Sequence, residues 1–307
     1  MQFFPYRELG RTGFRASRLG IGDLADRQVP VETCVAIVRR ALDAGLNLID
    51  TAPNYEDGYS EQVVGRALQG RRNGVFLIDK IDHLHAPVEP QVSDSLARLQ
   101  VEHLDLLVFH ACSTMADLGQ LQDPGGGFDQ LAGEVRRGRT RFAGISSHNP
   151  EVLRAAITSG ACDVVLFPLG PFVDRRYETE ILPLAKSLNV GTVCFKTFGA
   201  GKLLGETEGY QRPLSVRPRS KLSSGGDAAA AVLLKRLSVT ECVRYTLTLD
   251  PDVALLGLSF PNEQDAAFAA ALQFSPLNEA QLAEVRRRAE IAIAGKGPVW
   301  WNPPAIG

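Results

Sequence analysis

Four polar residues close apolar runs in this sequence, and together they have the chemistry to move a proton. Asp50 ends Leu46-Asn47-Leu48-Ile49, and Tyr55 follows in Thr51-Ala52-Pro53-Asn54-Tyr55. Lys80 ends Val75-Phe76-Leu77-Ile78-Asp79, and His110 ends Leu106-Leu107-Val108-Phe109. A tyrosine of ordinary pKa, about 10, is a poor acid near neutrality. A neighbouring ammonium favours the phenolate and lowers that value, which makes Lys80 a natural partner. A carboxylate such as Asp50 would hold the lysine charged and oriented. A histidine can hydrogen-bond a substrate oxygen or relay its proton. Singly, each residue has an ordinary explanation: the aspartate as a helix cap, the lysine as a snorkelling side chain, the histidine as a satisfied polar group. Their joint order on successive runs favours the chemical reading.

The elements that must position them follow a regular alternation. Strands are predicted over Arg18–Ile21, Leu46–Asp50, Val75–Lys80, Leu104–His110, Arg141–Ser146, Val164–Phe167, Val190–Phe195 and Val253–Gly257. Helical spacing fills the intervals: Val31–Ala44, Ser60–Gln69, Val88–Leu99, Phe128–Arg136, Pro150–Ser159, Glu178–Leu188, Val239–Thr248 and Asn262–Leu272. Alternating strands and helices imply a parallel sheet with right-handed crossovers, and eight such units close most simply into an α/β (β/α)₈ TIM barrel. The working residues of such a barrel lie at the C-terminal strand ends, so Asp50, Tyr55, Lys80 and His110 would meet on one rim. Pro5–Ser17 reads as an N-terminal hairpin that plugs the barrel bottom. Asn278–Ala294 reads as an added C-terminal helix, followed by a Pro-rich tail. The chain is expected to be one domain over residues 1–307. The irregular stretch Ala200–Asp227, rich in Gly, Ser, Pro and Arg, is long enough to be a functional loop.

At this point the stretches Asn47-Leu-Ile-Asp-Thr-Ala-Pro-Asn-Tyr55, Leu77-Ile-Asp-Lys80 and Ser95–His110 resemble the tetrad segments of the aldo-keto reductase superfamily. Arg7-Glu-Leu-Gly-Arg-Thr-Gly-Phe14 resembles the N-terminal segment of its bacterial members, and the similarity extends from about Tyr6 to about Ser275. The resemblance implies that Tyr55 is the general acid in carbonyl reduction, tuned by Lys80 and Asp50, with His110 orienting the carbonyl. Hydride would pass between a nicotinamide and the substrate carbon. The implied cofactor is NAD(P)(H), the implied partner a small carbonyl or alcohol: an aldehyde, ketone or sugar. No strand-linked GxGxxG occurs; the family instead lays an extended dinucleotide along the rim.

The same resemblance implies a cofactor set. Gly144-Ile-Ser-Ser-His-Asn149 is similar to the segment holding the nicotinamide carboxamide, with Ser146 matching its serine and Ser147 standing where many members have asparagine. Leu166 stands where glutamine is common. Phe195 matches the aromatic that stacks on the nicotinamide, and Gly199 and Gly201 would let backbone approach phosphate. Lys196 could pair with phosphate or be a rim charge. Gly22, Asp50, Gly257 and Ser259 complete the set. Glu263 aligns where NADP-preferring members carry a basic residue. A carboxylate there would repel a 2′-phosphate and accept from a free ribose hydroxyl, which favours NAD(H).

Composition excludes other classes. A net charge of −2 gives no reason to expect nucleic acid or an anionic membrane. The five cysteines are scattered, without a CxxC pair, so neither disulfides nor a zinc site is expected. No metal is assigned, and His83 and His85 lack a third ligand. A cytoplasmic enzyme is the expectation, its oligomeric state open. Trp300 and Trp301 are candidates for a lid or for a cap on the barrel's flank. The rival reading is a non-catalytic, cofactor-binding redox sensor of the same fold.

Overall fold

The computed structural model describes residues 5–25, 27, 30–204, 236–257, 261–296, 299 and 301–302. Ten strands are present among these: β1 (Tyr6–Glu8), β2 (Arg15–Ser17), β3 (Leu19–Ile21), β4 (Leu48–Asp50), β5 (Phe76–Ile81), β6 (Leu104–Phe109), β7 (Thr140–Ser146), β8 (Val164–Pro168), β9 (Gly191–Phe195) and β10 (Val253–Leu256). β3 to β10 pair in parallel in sequence order, and β10 returns to β3, so the sheet closes on itself as a TIM barrel. The eight barrel strands all fall on the runs predicted from apolar patterning.

Alternation along each strand sorts side chains into two layers. Leu48, Phe76, Ile78, Leu106, Val108, Val164, Leu166 and Val193 form the inner apolar layer. Their neighbours Ile49, Leu77, Leu107, Ile145, Val165 and Cys194 face out against the helices. Each strand thus needs apolar residues on both faces, which is why the runs read as continuous rather than alternating.

The hairpin lies where the sequence puts it. β1 and β2 pair antiparallel, with Tyr6 opposite Ser17 and Glu8 opposite Arg15. Leu9 and Ala16 join the inner layer and close it from below. Gly10, at φ 44°, passes so close to Val190 and Gly191 that a Cβ would lie 2.2 Å from the Gly191 nitrogen. Only glycine permits that approach. The added helix Glu279–Ile293 opens on a reciprocal cap between Asn278 and Gln281.

One helix escaped the sequence pattern. Met115–Gln122 is helical, capped by Thr114, whose hydroxyl accepts from the Asp117 N–H at 3.0 Å. With Gly119 inside it and only Leu118 and Leu121 buried, its periodicity is too short to register. Most of the stretch Ala200–Asp227, together with Ser259 and Trp300, lies outside the described residues.

Leu9 tests the plug. Leu9→Ala should cost about 2–5 kcal/mol of unfolding free energy, read from the denaturant midpoint at unchanged slope. A loss below about 1 kcal/mol would show that the hairpin does not seal the barrel.

Candidate active site

The inward alternation continues past the apolar layer. Asp50, Lys80 and His110 each lie two residues beyond an inner-layer side chain: Leu48, Ile78 and Val108. All three therefore emerge on one rim, and Tyr55 joins them from the loop after β4. Together they line a cavity of about 770 Å³, a size typical of small-molecule sites.

Lys80 Nζ donates to Asp50 Oδ1 at 2.7 Å and to the Thr51 carbonyl at 2.6 Å, with both side chains almost wholly buried. Burial alone would lower the lysine's pKa. The facing Asp50 carboxylate and Tyr55 more than offset it, so the ammonium is held above the ordinary lysine value. The same Nζ sits 4.5 Å from the centroid of the Tyr55 ring. Tyr55 meets the His110 ring edge to face, centroids 5.7 Å apart.

Here the structure corrects one expectation. Lys80 does pull the Tyr55 pKa down, but burial is the larger effect, and Asp50 and Asp23 add to it. The net shift is upward, so the buried phenol keeps its proton at neutral pH.

His110 is oriented by a residue that the sequence reading passed over. Its Nδ1 hydrogen-bonds Asp82 Oδ1, and Asp82 Oδ2 accepts the Asn54 backbone N–H at 2.7 Å. Burial lowers the His110 pKa against the pull of Asp82. The signal for Asp82 was present, since it stands two residues beyond Lys80. His83 and His85, just past the same strand, do not line the cavity; His85 pairs with Asp117 at 3.1 Å.

The rest of the cavity wall carries five of the twelve residues expected to hold a cofactor. Gly22, Ser146, Phe195, Lys196 and Gly257 line it. At Gly22 a Cβ would lie 3.3 Å from the Leu256 carbonyl, which already accepts the Gly22 N–H at 2.9 Å. Burial brings the Lys196 pKa down to about 8. Gly199 and Gly201 take positive φ, 54° and 83°, in the turn after β9, and Phe198 and Ala200 from that turn reach the cavity. His148, unforeseen, packs 5.2 Å from Phe195, and its Nε2 is buried without a partner among the described residues. Burial, then Lys196, lowers its pKa to about 4, so the ring is neutral. Asp23 also lines this wall, and burial pushes its carboxyl up to about 6.

Three expected residues lie elsewhere. Ser147 turns back into its own loop, where its Oγ accepts the Asn149 N–H at 3.1 Å. Leu166 is packed in the inner apolar layer below the cavity, which leaves no polar role at that position to supply. Glu263 is buried in the first turn of the helix Pro261–Leu272, outside the cavity wall. Trp301 is fully buried, its Nε1–H donating to the Phe172 carbonyl at 2.9 Å, so it anchors the tail against the loops after β8 and β9 and does not line the cavity.

The family model for the Aldo/keto reductase family matches residues 16–290. The chain belongs to that family and is an oxidoreductase of its kind. Among curated relatives it is 28% identical to aldo-keto reductase YhdN of Bacillus subtilis, over 85% of this chain and 87% of that protein. It is 26% identical to the NADH-specific methylglyoxal reductase of Escherichia coli, over 80% of this chain and 83% of that one. Among solved structures it resembles the holo form of aldo-keto reductase AKR11C1 from Bacillus halodurans, with TM-score 0.68 and 25% identity over 94% of this chain and 96% of that one.

The buried pair makes its own prediction. Lys80→Met leaves the Asp50 carboxylate uncompensated and should cost about 3–5 kcal/mol in denaturant unfolding. Removing the carboxylate as well, in Asp50→Asn/Lys80→Met, should recover more than half of that loss. Because the folded lysine pKa lies above the unfolded one, the pair's contribution is complete at neutral pH. It is lost only as pH rises through the lysine's folded value.

Proposed function

We propose that the protein moves hydride between NAD(P)(H) and a small carbonyl or alcohol (an aldehyde, ketone or sugar), with Tyr55 as general acid and base. The observation that carries this reading is Tyr55 half-buried on the cavity wall with its ring against the Lys80 ammonium, itself locked to Asp50. The nicotinamide, when bound, supplies or receives the hydride.

The protein supplies charge and position. Tyr55, protonated at neutral pH, donates to the carbonyl oxygen as negative charge develops there. The phenolate left behind is stabilised by Lys80, and Asp50 keeps that ammonium from losing its proton to the tyrosine. In the alcohol direction the phenolate must form first. That step becomes easier as pH rises, so oxidation should gain with alkalinity over a range where reduction does not.

The far wall fits the nicotinamide end of a dinucleotide. It offers an aromatic face at Phe195, a hydroxyl at Ser146, a buried ring nitrogen at His148 Nε2 without a partner among the described residues, and glycine backbone at Gly22 and Gly257. Lys196 and the turn at Gly199 and Gly201 would meet the pyrophosphate. Ser259 would serve the adenosine, and Glu263, buried in its helix rather than on the cavity wall, would act only through its charge, which disfavours the 2′-phosphate of NADPH.

Two measurements test the reading. Nucleotide titration by fluorescence should give tighter binding of NADH than NADPH, with the gap narrowing in Glu263→Gln. Absorbance of the reduced nicotinamide, followed over a panel of carbonyls and alcohols, should reveal turnover that Tyr55→Phe lowers about 10²–10⁴-fold without loss of nucleotide binding. Binding without turnover on any substrate would instead favour a cofactor-binding sensor.

A further inference from the structure

Asp82 does two things with one carboxylate. Oδ1 takes the Nδ1 side of His110, the residue facing the cavity from β6, and Oδ2 takes the Asn54 backbone N–H immediately before Tyr55. A carboxylate offers only lone pairs, so both partners must be donors. In the neutral imidazole that places the single ring proton on Nδ1. The remaining nitrogen, Nε2, then carries a lone pair.

We propose that Asp82 is a positioning residue that fixes His110 as the Nδ1–H tautomer, so that the neutral ring offers the substrate an acceptor and not a donor. The proposal rests on the oxidoreductase reading above and deepens it. A carbonyl oxygen has no proton to give to such an acceptor, whereas an alcohol hydroxyl has. Neutral His110 is therefore matched to the alcohol form of the substrate. The imidazolium, a donor at both nitrogens, is matched to the carbonyl form.

The surroundings decide which form prevails. Asp82 and Lys80 face the ring from the β5 side, Asp50 from β4, Tyr55 from the loop after β4, and His148 from the segment after β7. Burial and the Lys80 charge favour the neutral ring, and Asp82 opposes them. As pH rises through the His110 pKa, alcohol binding should strengthen and carbonyl binding weaken.

Asparagine cannot replace this carboxylate. Its single oxygen can accept from His110 or from Asn54, and the amide NH₂ must then point at the other donor. The relief is for His110 to move its proton to Nε2, the tautomer switch that an Asp→Asn change produces in a catalytic triad.

The test is ¹⁵N NMR of the histidine rings in the full chain, with His110 assigned by the signal lost in His110→Gln. Wild type should show the proton on Nδ1. Asp82→Asn should shift it to Nε2 and lower the ring's titration by about one unit or more, because an opposite charge has been removed. In kinetics, Asp82→Asn should raise KM for the alcohol about five- to tenfold, the worth of one hydrogen bond, and change KM for the carbonyl less. The histidine limb of the pH profile should move to lower pH with the ring. Asp82→Glu, which keeps both acceptors, should restore the tautomer and move that limb back. A wild-type proton on Nε2 would overturn the proposal, as would an unchanged tautomer and titration in Asp82→Asn. The NMR result needs no turnover, so it decides about Asp82 even if no carbonyl or alcohol proves to be a substrate.

Discussion

The buried pair of Lys80 and Asp50 is the constraint around which the rest of the rim is arranged. Two charges have been taken out of water, and they are tolerable only because the ammonium is paired with a carboxylate and hydrogen-bonded to the Thr51 carbonyl. That pairing fixes the ammonium over the Tyr55 ring and makes it a permanent local cation. Everything else at the site is tuned relative to that charge: the tyrosine's proton, the His110 titration and the position of the loop between β4 and the next helix.

The neighbouring residue shows the alternative solution. Asp79 points the other way from β5, toward the helices, where Glu61 is also buried. Burial, and then repulsion from Glu61, raises its pKa well above the usual carboxylate range, while Arg98 donates to Glu61 at 2.5 Å. Adjacent residues on one strand thus meet burial in opposite ways. On the inner face the charge is kept by pairing it; on the outer face the carboxyl is pushed toward its neutral form.

The barrel makes such precision possible because its strands carry side chains at fixed two-residue steps over a packed inner layer. Leu48, Ile78 and Val108 set the level from which Asp50, Lys80 and His110 rise. The next step along β5 brings Asp82 to the rim, where one carboxylate can reach both the tyrosine loop and the histidine. Rigidity at the floor is inherited by the groups above it. The cofactor wall is looser in design, built from turns after β3, β7, β9 and β10, with glycines where backbone must come close.

Much of this was legible in the amino-acid order. The eight strands follow from apolar runs of the right length, the hairpin from its turn residues, and the Asp50, Tyr55, Lys80 and His110 array from polar residues closing those runs. These are local properties, set by side-chain periodicity and by where an apolar stretch stops. What only the tertiary structure decided depends on burial and on neighbours distant in the chain. The sign of the Tyr55 shift is one case, because how deeply the phenol is buried is not written in its spacing from Lys80. The packing of Leu166 inside the barrel, the withdrawal of Ser147 into its own turn, the anchoring of Trp301 and the bridge made by Asp82 are others. Each is the outcome of several strands converging on one point, and that convergence exists only once the barrel has closed.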